Sequence, residues 1–443
     1  MNTPIFDFVQ SYKNKSAARF HMPGHKGKTF LGPEALDITE IDGADVLYKS
    51  EGIIEESQKN ASSLFGTKKT VYSCEGSSLA IRAMLYLALL NSNSSRVILA
   101  ARNAHRVFMS AAVLLDLDVE WLYSEENTVL SCSISADALD KRLSEMKIKP
   151  MAFYVTSPDY LGNVADIKSL AEICHKWGIL LLVDNAHGAY LNFLPASKHP
   201  IHLGADMCCD SAHKTLPVLT GGAYLHISQN APEALSENAK RAMSVFASTS
   251  PSYLILESLD LANRYLAEGY TERLVKCVKR VNDIKKKLSH KGFDLIGSEE
   301  LKLTLAPKSY GYTGEELASI LLTNNVVCEF ADSDFLVFMI TPETEECDLT
   351  LLEGLLLGLK KRTAITDAPP SPRPLKRVMS PRVAAFSKWE TVNVEEAMGR
   401  ILATENVSCP PAIPIAVCGE KLDENALELF KYYGINKITV VKL

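Results

Sequence analysis

The sequence predicts an α/β protein in which helices cover both faces of a mostly parallel β-sheet. Apolar runs of strand length alternate with helical stretches between about residues 60 and 230. These runs are continuously apolar, which is typical of strands that are buried on both faces. Several of them are followed directly by polar residues, at the edge where such a sheet places its ligands.

The first helix of this region is predicted at Ser77–Leu90, where Leu79, Met84 and Leu87 recur at the spacing of an amphipathic helix. Further helices are predicted at Asp137–Met146 and Ile167–Trp177. The strands are predicted at Val97–Ala100, Met151–Thr156, Ile179–Val183, Ala205–Cys209 and Gly222–Ile227.

The rest of the chain predicts long helices over 253–290, a smaller α+β region and a C-terminal module. The α+β elements are strands at Lys302–Ala306, Val326–Ala331 and Phe335–Ile340, and helices at Gly314–Asn324 and Asp348–Leu359. Prolines make residues 367–374 a linker, because they continue neither helix nor sheet. The C-terminal module is predicted to contain a helix at Val394–Arg400, a proline-rich loop at 410–414 and a helix and strand within Glu424–Leu443.

We therefore expect an N-terminal arm (1–50), a large domain (51–260), a small α+β domain (261–365) and a C-terminal domain (366–443). The net charge of −6 gives no reason to expect binding to nucleic acid or to an anionic membrane. No apolar run approaches the ~20 residues that span a bilayer, and the N-terminus lacks the pattern of a secretion signal.

Metal binding is not expected from the sequence. The ten cysteines form no C-x-x-C pair, which suits a reducing cytoplasm. His21 and His25 have the spacing of a helical metal pair, but Pro23 and Gly24 prevent a helix there. Cys208 and Cys209 lie in an apolar run and are predicted to be buried core residues.

Four polar clusters could carry chemistry. They are Glu75–Ser78, at the start of the first helix, and Ala101–His105, Asp184–His187 and Asp206–Lys214, each beside a predicted strand. Together they match the requirements of pyridoxal 5′-phosphate (PLP).

PLP needs a lysine that binds its aldehyde, a carboxylate that keeps the ring nitrogen protonated, and a helix N-terminus for its phosphate. An imidazole stacked on the ring would complete the site. Lys214, Asp184, the segment Gly76–Ser78 and His105 supply these groups in turn. Alone, Asp184 could be a helix N-cap and His105 an ordinary loop residue, so the prediction depends on the combination.

The motifs Gly76-Ser-Ser78, His105, Val183-Asp-Asn-Ala-His187 and Ser211-Ala-His-Lys-Thr215 resemble those of fold-type I PLP enzymes, the aspartate aminotransferase-like group. A narrower resemblance, to the ornithine/lysine/arginine decarboxylase family, lies in three further motifs. They are His21-Met-Pro-Gly-His-Lys26, Thr249-Ser-Pro-Ser-Tyr253, and Pro410-Pro-Ala-Ile-Pro414 followed by Cys418-Gly-Glu420. The matches run from about residue 20 to residue 420.

The resemblance implies a role for each of these residues. Lys214 would bind the cofactor covalently, Asp184 would pair with the ring nitrogen, and His105 and Ala186 would lie against opposite ring faces. His187 would lie near the phenolic oxygen or the substrate carboxylate, and either Lys214 or His213 could deliver a proton to Cα. The phosphate would be held by Gly76, Ser77, Ser78, Ser211 and His213.

The same resemblance implies a homodimer or higher homo-oligomer with shared active sites, in which Thr249 or Ser250 reaches the phosphate of a neighbouring subunit. The expected reaction is decarboxylation of arginine, lysine or ornithine to agmatine, cadaverine or putrescine, which would feed polyamine synthesis. The distal cation of such a substrate would need a carboxylate. Glu420 is one candidate for it, and Glu40, Asp42 and Asp45 are others.

Departures from the family pattern concern the substrate rather than the cofactor. Asn185 stands where the family usually has glutamate, and Tyr190 where it usually has histidine. Around the paired prolines, Ser408-Cys409 and Ala412 replace the usual tyrosine and glycine.

Two alternatives remain open at this point. An aminotransferase or another PLP lyase would need the same cofactor residues, and only the N-terminal motif and the C-terminal module favour decarboxylation. A non-enzymatic partner-binding paralogue would be expected to have a damaged cofactor site, and the sequence contains no such damage.

Overall fold

The computed structural model describes residues 1–92, 95–124, 133–408 and 413–442. The α-helices are α1 (Pro4–Asn14), α2 (Ile53–Phe65), α3 (Gly76–Asn91), α4 (Arg106–Leu115), α5 (Ala136–Glu145), α6 (Ile167–Lys176), α7 (Ala212–Thr215), α8 (Glu233–Phe246), α9 (Tyr253–Ala267), α10 (Tyr270–Lys291), α11 (Gly314–Leu322), α12 (Glu346–Gly358), α13 (Pro381–Phe386) and α14 (Glu424–Tyr432). Short 3-10 helices occur at Pro33–Ala35, Leu47–Lys49, Ala189–Phe193, Pro200–Leu203, Pro307–Tyr310 and Val394–Glu396.

The strands are β1 (Lys69–Ser73), β2 (Val97–Ala101), β3 (Asp118–Leu122), β4 (Ala152–Thr156), β5 (Leu180–Asp184), β6 (Met207–Asp210), β7 (Ala223–Ile227), β8 (Asp294–Ile296), β9 (Lys302–Ala306), β10 (Phe330–Ala331), β11 (Leu336–Met339), β12 (Lys376–Arg377), β13 (Trp389–Asn393), β14 (Asn406–Ser408), β15 (Pro414–Val417), β16 (Glu420–Lys421) and β17 (Lys437–Val441).

The predicted mostly parallel sheet is present, with seven strands in the order β1-β7-β6-β5-β4-β2-β3. Strands β5 and β6 are parallel, as are β2 and β3. Strand β7 runs antiparallel to both of its neighbours, β1 and β6. The five predicted apolar strands correspond to β2, β4, β5, β6 and β7. Strands β1 and β3 were not predicted.

Helix α3 corrects one detail of the prediction. It was expected to be amphipathic, but its buried residues lie on most sides of it. They are Leu79, Ala80, Ile81, Ala83, Met84, Leu85, Leu87 and Ala88. A helix that is apolar nearly all round belongs in the interior of a domain. The helix that begins at the candidate phosphate site is therefore firmly held.

The chain forms two compact units. The first consists of residues 1–95, 149–153 and 167–272, and the second of residues 96–148, 154–166 and 273–443. The domain boundaries proposed from the sequence stay a prediction.

The N-terminal helix α1 of the first unit is anchored by a buried carboxylate. Asp260 Oδ2 accepts hydrogen bonds from the backbone N–H groups of Ile5 (2.9 Å) and Phe6 (3.0 Å). Asp260 Oδ1 accepts one from the Ser57 hydroxyl (2.5 Å). The first N–H groups of a helix have no partner within it, so Asp260 on α9 satisfies two of them and fixes the start of the chain.

The second unit contains the predicted α+β region, built on the antiparallel sheet β10-β11-β9-β8. Its core is formed by apolar side chains from α10, α11, α12 and this sheet, including Val281, Leu305, Leu317, Phe338 and Leu356. Of the strand predicted at Val326–Ala331, only β10 is regular. Residues 367–374 have no regular structure, as the linker prediction requires.

The C-terminal module contains the antiparallel pairs β12–β16, β13–β17 and β14–β15. The predicted final helix and strand are α14 and β17. The helix predicted at Val394–Arg400 is wrong, because Gly399 has a φ of 74° and the segment forms only a 3-10 turn. Residues 410–412 of the predicted proline-rich loop lie outside the described part of the chain.

Among the helices in the described residues, none is both long enough and apolar enough to cross a membrane.

Candidate active site

The predicted cofactor residues of the first unit follow two adjacent parallel strands. In the pairing of β5 with β6, Asp184 lies opposite Cys209. Because parallel strands point the same way, the residues after Asp184 and those after Asp210 emerge at one edge of the sheet. This register brings the predicted aspartate and the predicted lysine segment to the same edge.

Lys214 is near His187 at this edge. Lys214 Nζ lies 3.1 Å from His187 Nε2, which is hydrogen-bonding distance. His187 is 5% exposed, and Lys214 is half-buried. The arrangement pairs an amine that can become a nucleophile with an imidazole that can exchange a proton with it.

Asp184 is buried at the end of β5, with 2% of its surface exposed. Its Oδ1 accepts hydrogen bonds from the Ala186 N–H (3.2 Å) and from the Cys209 thiol (3.6 Å). Burial raises the pKa of Cys209 well above its usual value, and the Asp184 carboxylate raises it further. The thiol therefore keeps its proton and remains a donor to the carboxylate.

The N-terminus of α3 is suited to a phosphate. Among the described residues, its N-cap Glu75 makes no side-chain cap hydrogen bond, and the N–H groups of a first helical turn have no partner within the helix. The Gly76 N–H donates to the Gly221 carbonyl over 2.7 Å, so the N–H groups that follow it are the candidates for a phosphate. Gly76 has a φ of 70°, and a Cβ added to it would have no described heavy atom within 4 Å. Open space thus lies beside a helix start of the kind that can bind an anion.

Two hydroxyl groups lie beside that helix start. Ser211 Oγ donates to Ser77 Oγ over 2.8 Å, so the segment that carries Lys214 touches the start of α3. Ser77 and Ser78 are both half-buried. The structure therefore brings the predicted phosphate hydroxyls and the predicted lysine segment together, and these residues fit the cofactor's needs.

His213 contacts the backbone at Gly222 in the described chain. Its Nδ1 lies 3.0 Å from the Gly222 carbonyl oxygen, and its backbone N–H donates to the same oxygen. The Gly222 carbonyl can only accept, so Nδ1 carries a proton in this arrangement. His213 thus fixes the short helix α7, and its predicted contact with phosphate stays a prediction.

His105 lies in the second unit, after the end of β2. It is exposed, and its Nδ1 accepts the Val107 N–H over 3.3 Å as the N-cap of α4. The cap orients the imidazole. His105 is thus both a helix cap and an exposed ring, and its stacking role stays a prediction.

Glu420 occupies a different environment from the one proposed for a substrate-binding carboxylate. It is 1% exposed, and its two oxygens lie 2.8 Å from Arg102 Nη1 and Nη2. Its Oε2 also accepts the Val417 N–H over 2.9 Å. Arg102 lies over the Trp121 ring, with its Cζ 4.8 Å from the ring centroid. Because both carboxylate oxygens already have partners, this geometry argues against Glu420 as the partner of a substrate cation.

The other acidic candidates of the N-terminal arm differ from one another. Asp45 accepts backbone N–H groups from Val46, Glu51, Gly52 and Ile54, so it holds the turn before α2. Glu40 and Asp42 are exposed. They remain candidates for a substrate cation.

The loop that carries Thr249 and Ser250 is exposed. It is anchored at both ends to the segment before α3. The Ser248 N–H donates to Glu75 Oε1 over 2.7 Å, and Cys74 Sγ donates to the Ser252 carbonyl over 3.6 Å.

Sequence reasoning did not single out Asp210, His199 or His226, all of which have no exposed surface. Asp210 Oδ2 accepts from His199 Nε2 over 3.0 Å and lies 3.3 Å from His226 Nε2. The sequence offered two signals for this group. They are Asp210, a charged residue at the end of an apolar strand, and His226, a histidine inside the apolar run Ala223–Ile227. A buried charge in such a place needs a partner.

Comparison with known proteins identifies the family. The model described as Orn/Lys/Arg decarboxylase, major domain, matches residues 3–307, and that of the family's C-terminal domain matches residues 373–438. An arginine decarboxylase of Bacillus subtilis strain 168 is 29% identical over 97% of this chain and 93% of its own. One of Halalkalibacterium halodurans is 31% identical, over 96% of this chain and 92% of its own.

Solved structures agree on the fold. A lysine decarboxylase of Francisella novicida superposes with a TM-score of 0.83 at 16% sequence identity, and the match covers 99% of this chain and 81% of that one. At this identity the likeness shows the fold alone. Family models, relatives and fold agree along nearly the whole sequence, and the chain therefore belongs to the Orn/Lys/Arg decarboxylase family, a group of PLP-dependent carboxy-lyases.

Proposed function

We propose that this chain releases the α-carboxylate of a basic amino acid as carbon dioxide, with PLP bound to Lys214 and with arginine as the preferred substrate. The contact between Lys214 Nζ and His187 Nε2 (3.1 Å) carries the proposal. It pairs the predicted PLP lysine with a proton-exchanging group at the edge of the sheet where Asp184 ends its strand. Arginine is placed first because the two relatives described above are arginine decarboxylases.

When bound, PLP supplies an electron sink for the charge left at Cα by a departing carboxylate. The protein's residues hold the cofactor and manage the protons. Asp184, buried and fixed by Ala186 and Cys209, would keep a proton on the ring nitrogen, because a nearby anion favours the charged form. Ser77, Ser78 and Ser211, with the first N–H groups of α3, would bind the phosphate.

Lys214 and His187 would serve the reacting carbon. Once substrate has displaced the lysine, its Nζ is an amine within reach of an imidazole, so a proton can pass between the two groups and on to Cα. The product would be agmatine, cadaverine or putrescine, according to the substrate, and would enter polyamine synthesis.

A dimer with shared sites is part of this proposal. Large apolar side chains of the N-terminal arm are exposed in the single chain: Phe20 (96%), Leu31 (92%) and Phe30 (77%). Apolar surface of this kind usually marks a protein interface. The exposed Thr249 and Ser250 could then reach the phosphate of a second copy, although the anchors at Cys74 and Glu75 also place their loop beside the helix start of their own chain.

The test is a substrate panel. Purified protein reconstituted with PLP is offered arginine, lysine, ornithine, leucine, tyrosine and glutamate, and carbon dioxide and amine are measured together. We expect equal amounts of both products from arginine. Lys214→Ala should abolish them, whereas Lys176→Ala, which changes an exposed lysine on α6, should not.

Three outcomes would contradict the proposal. Carbon dioxide from a neutral or aromatic amino acid, with the basic ones inert, would reject the substrate class. A keto acid formed by amino-group transfer without carbon dioxide would indicate an aminotransferase. Failure of borohydride to fix PLP to the peptide that contains Lys214 would reject the cofactor lysine.

A further inference from the structure

We infer that Asp210 is a positioning residue that sets the spacing between the elements holding PLP. It acts through a group defined here as the Asp210 cluster: Asp210, Asn185, His199 and His226. This inference rests on the proposed function, because it assigns Asp184 and Lys214 to the cofactor.

The cluster begins where the pairing of β5 with β6 ends. The last pair in that register is Asp184 with Cys209, and the Asn185 N–H donates to the Cys209 carbonyl over 3.0 Å. One residue further, Asn185 Nδ2 donates to Asp210 Oδ1 over 2.7 Å. A side-chain hydrogen bond therefore continues the connection between the two strands past their last backbone pair.

This bond lies between the two halves of the candidate site. Asn185 directly follows Asp184, and Asp210 directly precedes the segment Ser211–Lys214. A change in the separation of Asn185 and Asp210 would therefore be transmitted to the separation of Asp184 and Lys214. The effect is indirect, because Asp210 is not assigned a contact with cofactor or substrate.

The cluster also reaches the strand that leads to the phosphate helix. His226 Nδ1 lies 2.8 Å from Thr70 Oγ1, and the two residues are partners in the pairing of β1 with β7. Strand β1 ends three residues before Gly76, where α3 begins. One carboxylate thus connects the segments that carry the phosphate site, Asp184 and Lys214.

Charge and burial strengthen the hydrogen bonds of Asp210. Burial raises the pKa of Asp210, but His199 and His226 together outweigh it, so the net pKa lies below its usual value. The carboxylate is therefore ionised, and hydrogen bonds to an ionised acceptor are shorter and stronger than neutral ones. Removing a partner from a buried charge is costly.

The cluster also accounts for Asn185, which stands where the family usually has glutamate. A glutamate at this position would bring a second carboxylate against Asp210, whereas an amide donates to it. Asn185 has no exposed surface, so we assign this departure to the Asp210 cluster rather than to substrate choice.

A bound metal is a competing explanation for the same residues. Ligand atoms of His199, Cys208 and Asp210 all lie within 4.8 Å of one another. However, both Asp210 oxygens already accept N–H donors, and Cys208 Sγ is 3.9 Å from both His199 Nε2 and Asp210 Oδ1. The hydrogen bonds satisfy the carboxylate without a cation.

The test compares PLP binding with global stability. Asp210→Asn and Asn185→Asp are made separately and together, with Asp206→Asn as the matched control. Asp206 lies just before the opposite end of the same strand, is 7% exposed, and accepts the Leu181 N–H over 2.8 Å. For each variant the PLP dissociation constant, the visible circular dichroism of bound PLP, the Tm and the metal content are measured.

We expect each cluster variant to weaken PLP binding about tenfold and to change the visible dichroism. PLP binding would then have to restore the separation that the lost bond maintained, at a cost of up to the free energy of that bond. Asp206→Asn should lower the Tm without either change. The double variant exchanges the carboxylate and the amide between positions 185 and 210, so a hydrogen bond between them can form again. It should therefore recover part of the PLP affinity. If Asp210→Asn does not fold, Asn185→Asp and the double variant still test the inference.

The inference fails if the cluster variants lower the Tm but bind PLP with unchanged affinity and dichroism, as the control does. It also fails if wild-type protein contains one metal ion per chain that Asp210→Asn loses. Wild-type protein that binds PLP at Lys214 but decarboxylates nothing would reject the proposed function and leave this inference intact.

Discussion

Arg102 and Glu420 form a buried bidentate ion pair in the second unit, with both nitrogen–oxygen distances at 2.8 Å. Arg102 Nε and Nη2 also donate to the carbonyl oxygens of Pro414 (3.2 Å) and Ile415 (3.4 Å). The pair therefore fixes the C-terminal module to the residue that directly follows β2, three positions before His105.

Removing one partner of this pair should destabilise the protein strongly. Glu420→Ala leaves a buried guanidinium without its counter-ion, which typically costs about 3–5 kcal/mol. The Tm of Glu420→Ala should fall well below that of Glu428→Ala, which removes an exposed carboxylate on α14. Replacing both residues by leucine should cost less than the single change. If Glu420→Ala instead keeps its Tm and only raises the KM for arginine, Glu420 binds substrate after all.

His187→Gln should impair turnover more than cofactor binding. The amide preserves much of the imidazole's bulk but cannot exchange a proton near neutral pH, and loss of such a group typically costs about 10²–10⁴-fold in rate. The kcat should fall in that range while PLP remains attached to Lys214. His175→Gln, a change on the surface of α6, should keep normal kcat. A normal kcat for His187→Gln would remove the imidazole from the mechanism.

Asp184→Asn should separate folding from chemistry. The amide is close to the carboxylate in shape, and its oxygen can still accept from the Ala186 N–H, so the Tm should change little. It cannot hold a proton on the ring nitrogen by charge, so turnover should fall by several orders of magnitude. Circular dichroism and carbon dioxide release together check this. Near-normal activity with the best substrate would show that Asp184 does not have this role.

Local patterns predicted the fold class well because they depend on near neighbours in the sequence. Continuous apolar runs predicted β5, β6 and β7. The polar residues after them led to the prediction that Asp184 and Lys214 belong to the cofactor site. Cys208 and Cys209 are buried, as their apolar run indicated.

The missed features depend on distant partners. Nothing near Asp210 in the sequence shows that His199 and His226 will contact its carboxylate. The chain near Glu420 likewise does not reveal Arg102, 318 positions away. The prediction of a helix at Val394–Arg400 was wrong for the opposite reason. The local spacing is helical, but Gly399 adopts a positive φ that ends any helix there. Strand β1 was not predicted, because its run Lys69–Ser73 mixes polar and apolar residues.

Glu257 should make stability depend on pH. It is 4% exposed, and burial raises its pKa from 4.5 to about 8, helped by Asp260 and Asp37 and opposed by Lys13. The folded chain therefore keeps a proton that the unfolded chain releases above pH 4.5. Its contribution to stability is full below about pH 4.5 and is lost as pH rises towards about 8.

Glu257→Gln should remove this loss, because glutamine carries no proton to release. Between pH 6 and pH 8, the Tm of wild type should fall more than that of Glu257→Gln, with a free-energy slope of up to ~1.4 kcal/mol per pH unit. Glu237→Gln, on the exposed side of α8, should follow wild type. Parallel Tm–pH curves for wild type and Glu257→Gln would contradict the prediction.

Subunit complementation should reveal whether active sites are shared. Lys214→Ala lacks the lysine proposed to bind PLP, and the Thr249→Ala/Ser250→Ala variant lacks the exposed hydroxyls proposed to reach a neighbour's phosphate. Each variant should be nearly inactive alone. If a site takes Lys214 from one chain and Thr249 or Ser250 from the other, a heterodimer of the two variants contains one intact site and one doubly defective site.

Mixing equal amounts under conditions of subunit exchange should therefore restore about a quarter of wild-type activity, because about half of the dimers then carry one intact site of two. Exchange is confirmed independently by co-purification through a tag on one variant. The alternative follows from the anchors of this loop within its own chain, where Ser248 bonds to Glu75 and Cys74 bonds to Ser252. If the hydroxyls serve the phosphate of their own chain, each heterodimer contains one site without lysine and one without hydroxyls. Mixing then restores nothing even though the subunits exchange, and each site is built from a single chain.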